Sequence, residues 1–292
     1  QAGVVSHGAG TCLPADPAFL LCPGNYCFPA IAGWSMLPSR FILRYNVALM
    51  KLEGKRAVVT GGGTGIGRAI AHALASEGCQ VAIAGRREDP LREAASSWSG
   101  EPAIEYHTLD VADRDSVQAF FGWASEKLGP IDILVNSAGT NTRTRTMAEM
   151  DPADWDRIMA INASGAYYCM YAVLPGMREA GDGLIVNISS VAGIRASALG
   201  GVAYCASKFA MTALGLAVSN EDAVHGIRVT NVYPGEVNTP ILEHRPSPVS
   251  DDHRERILDA DSVGQLVLAI ACLPAKAHVP EVTIKPISQE FC

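Results

Sequence analysis

Tyr204 and Lys208 stand in Tyr204-Cys205-Ala206-Ser207-Lys208, four residues apart within an apolar helical stretch. On a helix that spacing turns both side chains to one face. A phenol ionises at about pH 10 and is a poor acid or base at neutrality. An ammonium beside it stabilises phenolate and lowers that pKa, which makes a usable proton donor. A tyrosine–lysine pair alone recurs by chance on protein surfaces, so its surroundings decide its weight. Asn187-Ile188-Ser189-Ser190-Val191-Ala192-Gly193 closes an apolar run and offers Ser190, with Ser189 as the rival, as a hydroxyl for a reacting oxygen. Asn136-Ser137-Ala138-Gly139 closes another such run, Asn162 lies in the following helix, and Pro234-Gly235-Glu236-Val237-Asn238-Thr239 follows a third run. Cys205, beside Tyr204, is expected to be a small buried packing residue.

A second cluster lies earlier in the chain. Thr60-Gly61-Gly62-Gly63-Thr64-Gly65-Ile66-Gly67-Arg68 follows a short apolar run and opens a helical pattern. Glycines there let the backbone turn sharply and approach a pyrophosphate, while the helix directs its free amides and positive dipole end at the phosphates. The spacing is G-x-x-x-G-x-G, at Gly61, Gly65 and Gly67, rather than the general dinucleotide fingerprint. The next run ends in Gly85-Arg86-Arg87. An acidic residue there would bond the ribose hydroxyls of NAD and repel the extra phosphate of NADP. Two cations and no acid favour NADP(H), against the plainer reading that Arg86 and Arg87 only open a solvated helix.

The elements that must hold these residues follow from the alternation of short β-branched runs with longer helical patterns. Strands are expected at 57–59, 81–84, 104–107, 131–135, 184–188, 227–232 and 282–284. Helices are expected at 65–77, 88–98, 114–127, 152–178, 203–224 and 261–273. Asp151-Pro152 reads as a cap followed by a first-turn proline, and Gly129-Pro130 as a helix stop. Such alternation predicts an α/β fold: a Rossmann-like, doubly wound parallel sheet of about seven strands with helices on both faces. In it, strand carboxyl ends line the ligand crevice.

Taken together, residues 50 to about 240 resemble the short-chain dehydrogenase/reductase family, and the rest does so more loosely. The resemblance implies hydride exchange between NADP(H) and a small-molecule carbonyl or secondary alcohol, possible 3-oxoacyl reduction included. It implies Tyr204 as general acid or base, and Lys208 as the residue that lowers its pKa and holds the nicotinamide ribose. Ser190 would bond the substrate oxygen, and Asn162 would position a water joining Lys208 to solvent. Gly61, Thr64, Gly65, Ile66 and Gly67 would surround the pyrophosphate. Asp110 and Val111 would flank the adenine. Asn136, Ala138 and Gly139 would line the cofactor cleft, with Pro234, Gly235, Val237 and Thr239 near the nicotinamide. Ser137 replaces the family's usual second Asn, Ser190 lies one residue farther from Tyr204 than is usual, and the C-terminal strand lacks the common Gly-rich, acidic ending. Loops 140–147, 194–200 and 236–258 would line the substrate pocket, with residues 240–258 as a mobile lid. Arg143, Arg145, Arg195, Glu236, His244 and Arg245 there are expected to be solvated loop charges, though a cation at the pocket could hold a carboxylate, a phosphate or a carrier-linked acyl group. A redox sensor without turnover, or an epimerase or dehydratase using the same cofactor, are the other readings.

Composition bounds the rest. The 292 residues carry a formal net charge of -7, so no cationic surplus points to nucleic acid or an anionic membrane. The eight cysteines form no C-x-x-C pair or zinc spacing, which suggests free thiols, a reducing cytoplasmic setting and no metal. A homodimer or homotetramer is expected from the resemblance. Residues 1–49 are rich in proline and broken apolar scraps, and are expected to be an irregular extension outside one domain spanning 50–292. The alternative for them is an apolar cover for a subunit surface.

Overall fold

The computed structural model describes residues 51–290. By internal contacts residues 49–292 form one unit; the expectation for residues 1–49 lies outside the described residues. The chain runs β1 (Arg56–Thr60), α1 (Gly65–Ala75), β2 (Gln80–Gly85), α2 (Glu88–Ser96), β3 (Glu105–Thr108), α3 (Arg114–Leu128) and β4 (Ile133–Asn136). It continues with α4 (Pro152–Met159), α5 (Gly165–Ala180), β5 (Gly183–Ile188), α6 (Val202–Asp222) and β6 (Ile227–Pro234). The last elements are β7 (Val237–Asn238), α7 (Asp251–Arg254), β8 (Leu258–Asp259), α8 (Ala260–Ala271) and β9 (Glu281–Ile284).

Seven strands form one parallel sheet in the order β3-β2-β1-β4-β5-β6-β9. This is the expected Rossmann-like α/β architecture. Successive strand residues point to opposite faces, and both faces are covered, so the central strands are mostly apolar. Val59, Val135 and Val186 pack with Ile70, Leu74 and Val267 of α1 and α8 on one face. Val58, Leu134 and Ile185 pack with Phe120 and Met170 of α3 and α5 on the other. The edge strands β3 and β9 leave residues exposed, as does Gln80 at the start of β2. Caps fall where the sequence places them: Asp113 accepts from the Asp115 amide at 2.9 Å, and Asp151, ahead of Pro152, accepts from the Ala153 amide at 2.9 Å. Order reverses between β1 and β4, and the crevice opens at the carboxyl ends beside that reversal.

Two expectations change. The single helix expected over 152–178 is interrupted by a π-helical turn at Ala160–Ser164, which follows from the bonding of Asn162 described below. The region expected as a lid has local order: β7 and β8 pair in parallel around a 3-10 turn at Pro240–His244 and the short α7. The residues Val202–His225 are long and apolar enough to cross a bilayer, with mean hydropathy 1.4. They instead seat a core helix whose Met211, Thr212 and Gly215 are buried. Of the cysteines, Cys79, Cys169, Cys205 and Cys272 are free, and Cys205 is buried as expected.

Inside this apolar sheet lies a polar line. Asn136, Asn187 and Asn231 sit in register on β4, β5 and β6. The Asn136 amide donates to Asn187 Oδ1 at 3.0 Å, Asn187 donates to Asn231 Oδ1 at 3.0 Å, and Asn231 donates to the Thr212 carbonyl of α6 at 3.2 Å. Asn187→Ala strands a donor and an acceptor in a buried setting, which should lower stability by about 2–4 kcal/mol. Urea unfolding of the two proteins reads this directly; a change under about 0.5 kcal/mol, the scale of an ordinary surface substitution, would mean the line carries no load.

Candidate active site

A cleft of about 720 Å³ runs along the carboxyl edge, from the glycine turn after β1 to the start of α6. At one end the turn is shaped by close backbone approach. Gly61 has φ of +67°, and a Cβ there would come within 2.9 Å of the Ala138 backbone. Gly65 has φ of +51°, and a Cβ there would press on Thr239 at 3.0 Å. Thr64, the residue capping α1, makes no side-chain cap bond, so the first amides of α1 remain available to an anion. These features fit a dinucleotide pyrophosphate. Arg86 and Arg87 are exposed and line the same cleft, with Gly85 where an acid would stand. Asp110 and Val111 line it from the loop after β3, and Pro234, Gly235, Val237 and Thr239 from the segment after β6. Ala138 and Gly139 line it from the loop after β4. Asn136 does not: it is 2 % exposed and spends its amide in the sheet, so its expected place in the cleft wall is corrected to one in the core.

At the other end stand the residues read first. Lys208 is 4 % exposed, and its ammonium donates to the Ile188 carbonyl at 2.7 Å. Burial pushes its pKa down to about 7. It sits 5.7 Å from the Tyr204 ring centre, so the helix brings the pair together as expected. The electrostatics differ from expectation. Burial raises the Tyr204 pKa, opposed by a hydrogen bond with Ser190 and by the charge of Arg145.

Ser190 accepts from the Ala192 amide at 3.1 Å, leaving its hydroxyl proton to donate, and it is partly exposed on the cleft. Ser189 is 4 % exposed and donates to the Lys208 carbonyl at 3.1 Å. Position in the cleft therefore favours Ser190 over its neighbour. Asn162 is fully buried in the π-helical turn. Its Oδ1 accepts from the Thr140 amide at 2.8 Å, and its amide donates to the Thr140 carbonyl at 2.9 Å and to Ser207 Oγ at 3.0 Å. Both amide protons are spent, so this amide has no donor left for a water beside Lys208. What the side chain does is join the loop after β4 to α6. It reaches both because the π turn rotates it inward.

Several cleft residues were missed or misread from sequence. Arg145, expected to be solvated, is 7 % exposed and donates to three loop carbonyls. Arg143, Arg195 and His244 are exposed, as expected. Arg245 pairs with Glu236 at 2.9 Å, and His253 bonds the same carboxylate oxygen at 2.5 Å. Gln289, from the C-terminal segment, lines the cleft and accepts from the Glu236 amide at 2.9 Å. Nothing in the local pattern around these residues announces the placement.

Comparison with known proteins agrees with this geometry. The family model described as short chain dehydrogenase matches residues 55–249. An uncharacterized oxidoreductase of Staphylococcus saprophyticus is 34 % identical over 241 residues, covering 82 % of this chain and 100 % of its own. The structure of an alcohol dehydrogenase from the archaeon Thermococcus sibiricus, complexed with 5-hydroxy-NADP, is similar with TM-score 0.73 and 28 % identity, over 81 % of this chain and 98 % of that one. A 3-ketoacyl-(acyl-carrier-protein) reductase from Brucella melitensis, complexed with NADH, has TM-score 0.73 and 27 % identity, over 80 % and 98 %.

The Lys208 pKa makes a stability prediction. The unfolded lysine binds its proton up to about pH 10.4, whereas the folded one releases it at about 7. Between those values the unfolded state holds more protons, so the lysine's contribution to stability rises with pH through that window. The difference in urea midpoint between the protein and Lys208→Met should therefore grow in favour of the unsubstituted protein from neutral to alkaline pH. A flat difference would mean that Lys208 keeps its ordinary pKa.

Proposed function

The chain belongs to the short-chain dehydrogenase family, and from that premise we propose that it is an NADP(H)-dependent oxidoreductase acting on a small-molecule carbonyl or secondary alcohol. The observation that carries the reading is the meeting in one cleft of Tyr204 and Ser190, each half-buried, with the buried Lys208 ammonium behind them. When bound, the cofactor supplies the hydride in reduction and takes it in oxidation. Tyr204 gives the substrate oxygen its proton in reduction and takes it back in oxidation. Its raised pKa keeps the phenol protonated at neutrality, the form that donates. Ser190, with its oxygen held by the Ala192 amide, donates a hydrogen bond to the same substrate oxygen as charge develops there. Lys208, fixed by the Ile188 carbonyl, keeps further N–H groups for the nicotinamide ribose. Asn162 holds the Thr140 loop against α6 and so sets the distance between cofactor and proton donor.

Gly61, Thr64, Gly65, Ile66 and Gly67 would hold the pyrophosphate, Asp110 and Val111 the adenine, and Ala138, Gly139, Pro234, Gly235, Val237 and Thr239 the nicotinamide half. Structural neighbours bind both NADP and NAD forms, so the choice rests on Gly85, Arg86 and Arg87, whose cations suit a 2′-phosphate and whose missing acid leaves nothing to repel it. Exposed Trp155, Tyr167, Tyr171 and Phe209 on α4, α5 and α6 support homo-oligomer assembly.

Tyr204→Phe should lower turnover about 1,000-fold, within the range of a lost proton donor, with NADPH binding nearly unchanged. NADPH absorbance against a panel of aldehydes, ketones and alcohols measures the rate, and fluorescence titration measures binding; near-normal turnover would overturn the mechanism. Arg86→Ala with Arg87→Ala should weaken NADPH about 10- to 100-fold, the worth of one or two charge-assisted hydrogen bonds. NADH binding, titrated in parallel, should hardly change; equal losses for both cofactors would refute the assignment.

A further inference from the structure

Arg145 is a charged cleft residue to which the hydride transfer assigns no task. It leaves the loop after β4 and lies on the first turn of α6. The Val202 amide donates to its carbonyl at 3.1 Å. Gly201, with φ of +81°, makes room for it: a Cβ there would come within 2.6 Å of the Arg145 Cβ. The guanidinium thus sits at the entrance of the helix that carries Tyr204, and it lines the same cleft as Tyr204 and Ser190. It acts on the phenol electrostatically, being one of the groups that oppose the rise in the Tyr204 pKa.

Its partners are three backbone carbonyls. Nε donates to Thr142 O at 2.8 Å, Nη2 to His244 O at 2.7 Å, and Nη1 to Leu199 O. Among the described residues no carboxylate pairs with it. Glu236, which lines the same cleft, is taken up by Arg245 and His253, and Arg245 itself adds a like charge. A guanidinium stays charged in proteins, and a cation withdrawn from water without an opposing charge is costly. Had the only requirement been to tie three carbonyls together, a neutral donor would do so without that cost. Of the five guanidinium N–H groups three are spent, which leaves one on each terminal nitrogen. That is the complement of the two oxygens of a carboxylate.

We propose that Arg145 receives a carboxylate of the substrate, so that the carbonyl or alcohol turned over beside Tyr204 belongs to an oxo or hydroxy acid. The proposal rests on the oxidoreductase reading of the cleft, with the carboxylate supplying the charge that the protein withholds from Arg145. The loops that give the three carbonyls are walls of the pocket, so the bound acid also draws them together.

The test uses the full chain with NADPH and short straight-chain oxo acids, each paired with its methyl ester. The favoured acid should exceed its ester in kcat/KM by about 100-fold, the worth of two hydrogen bonds to a charged group. Arg145→Gln should bring that ratio to about one, the acid losing about 100-fold more in kcat/KM than the ester whatever loss the two share. Arg145→Lys, which keeps the charge and loses the fork, should fall between. A loop-tying role alone would instead lower acid and ester together in Arg145→Gln, and that result overturns the proposal. So does a wild-type protein indifferent to charge, or a preference for acids that survives the substitution. A second readout needs no turnover: calorimetric titration of the NADP+ complex with butanoate against butanamide. Carboxylate binding that is present in the wild type and lost in Arg145→Gln supports the site even if no carbonyl compound is reduced, a result that would refute only the hydride-transfer reading. Binding of butanoate no tighter than butanamide overturns the site even if neutral ketones are reduced.

Discussion

The ammonium of Lys208 has little water to turn to, and the Ile188 carbonyl at the end of β5 is the partner the fold offers it. Removing a cation from water is expensive, so this contact constrains where α6 can lie along the sheet edge. A shift of α6 by one residue would leave the ammonium facing apolar β5 and the Ile188 carbonyl unpaired. Ser189 reinforces the same register by donating to the Lys208 carbonyl, and Asn231 does so by donating to the Thr212 carbonyl one turn on. With α6 seated, Tyr204 comes to the cleft without any further device.

The same constraint explains the break between α4 and α5. A straight helix over that stretch would carry the Asn162 side chain past the loop after β4. The π-helical turn adds a residue to one coil and swings the amide inward, where it bonds both the amide and the carbonyl of Thr140 and reaches Ser207 on α6. The cost of a poorer helical hydrogen-bond pattern is offset by three bonds in a fully buried setting. The loop after β4, α6 and the central sheet are thereby tied together by buried side chains.

Two buried cations face one cleft in a protein of net charge -7. They are handled differently. Lys208, a flexible amine, can release its proton, and burial pushes its pKa to about 7. Arg145 cannot, and three carbonyl dipoles share its charge instead. A group able to lose its charge can exchange a proton near neutrality, whereas a guanidinium keeps its charge throughout.

The sequence by itself determined the seven strands of the main sheet, most of the helices, the glycine turn at the start of α1 and the pairing of Tyr204 with Lys208. Each of these depends on near neighbours in the chain: period of burial, backbone freedom at Gly61 and Gly65, and helical spacing. The absence of an acid at Gly85 was equally legible, because one position decides it. What tertiary structure alone decided are the fates of polar side chains whose partners come from afar. Asn136 entered the core through Asn187, fifty-one residues on. Ser189 turned under α6 while Ser190 stayed in the cleft. Arg145 left solvent because loops as far as His244, ninety-nine residues away, close over it. Whether a polar residue is solvated, structural or available to a ligand is set by what packs on it, and a linear pattern carries no record of contacts between segments so distant.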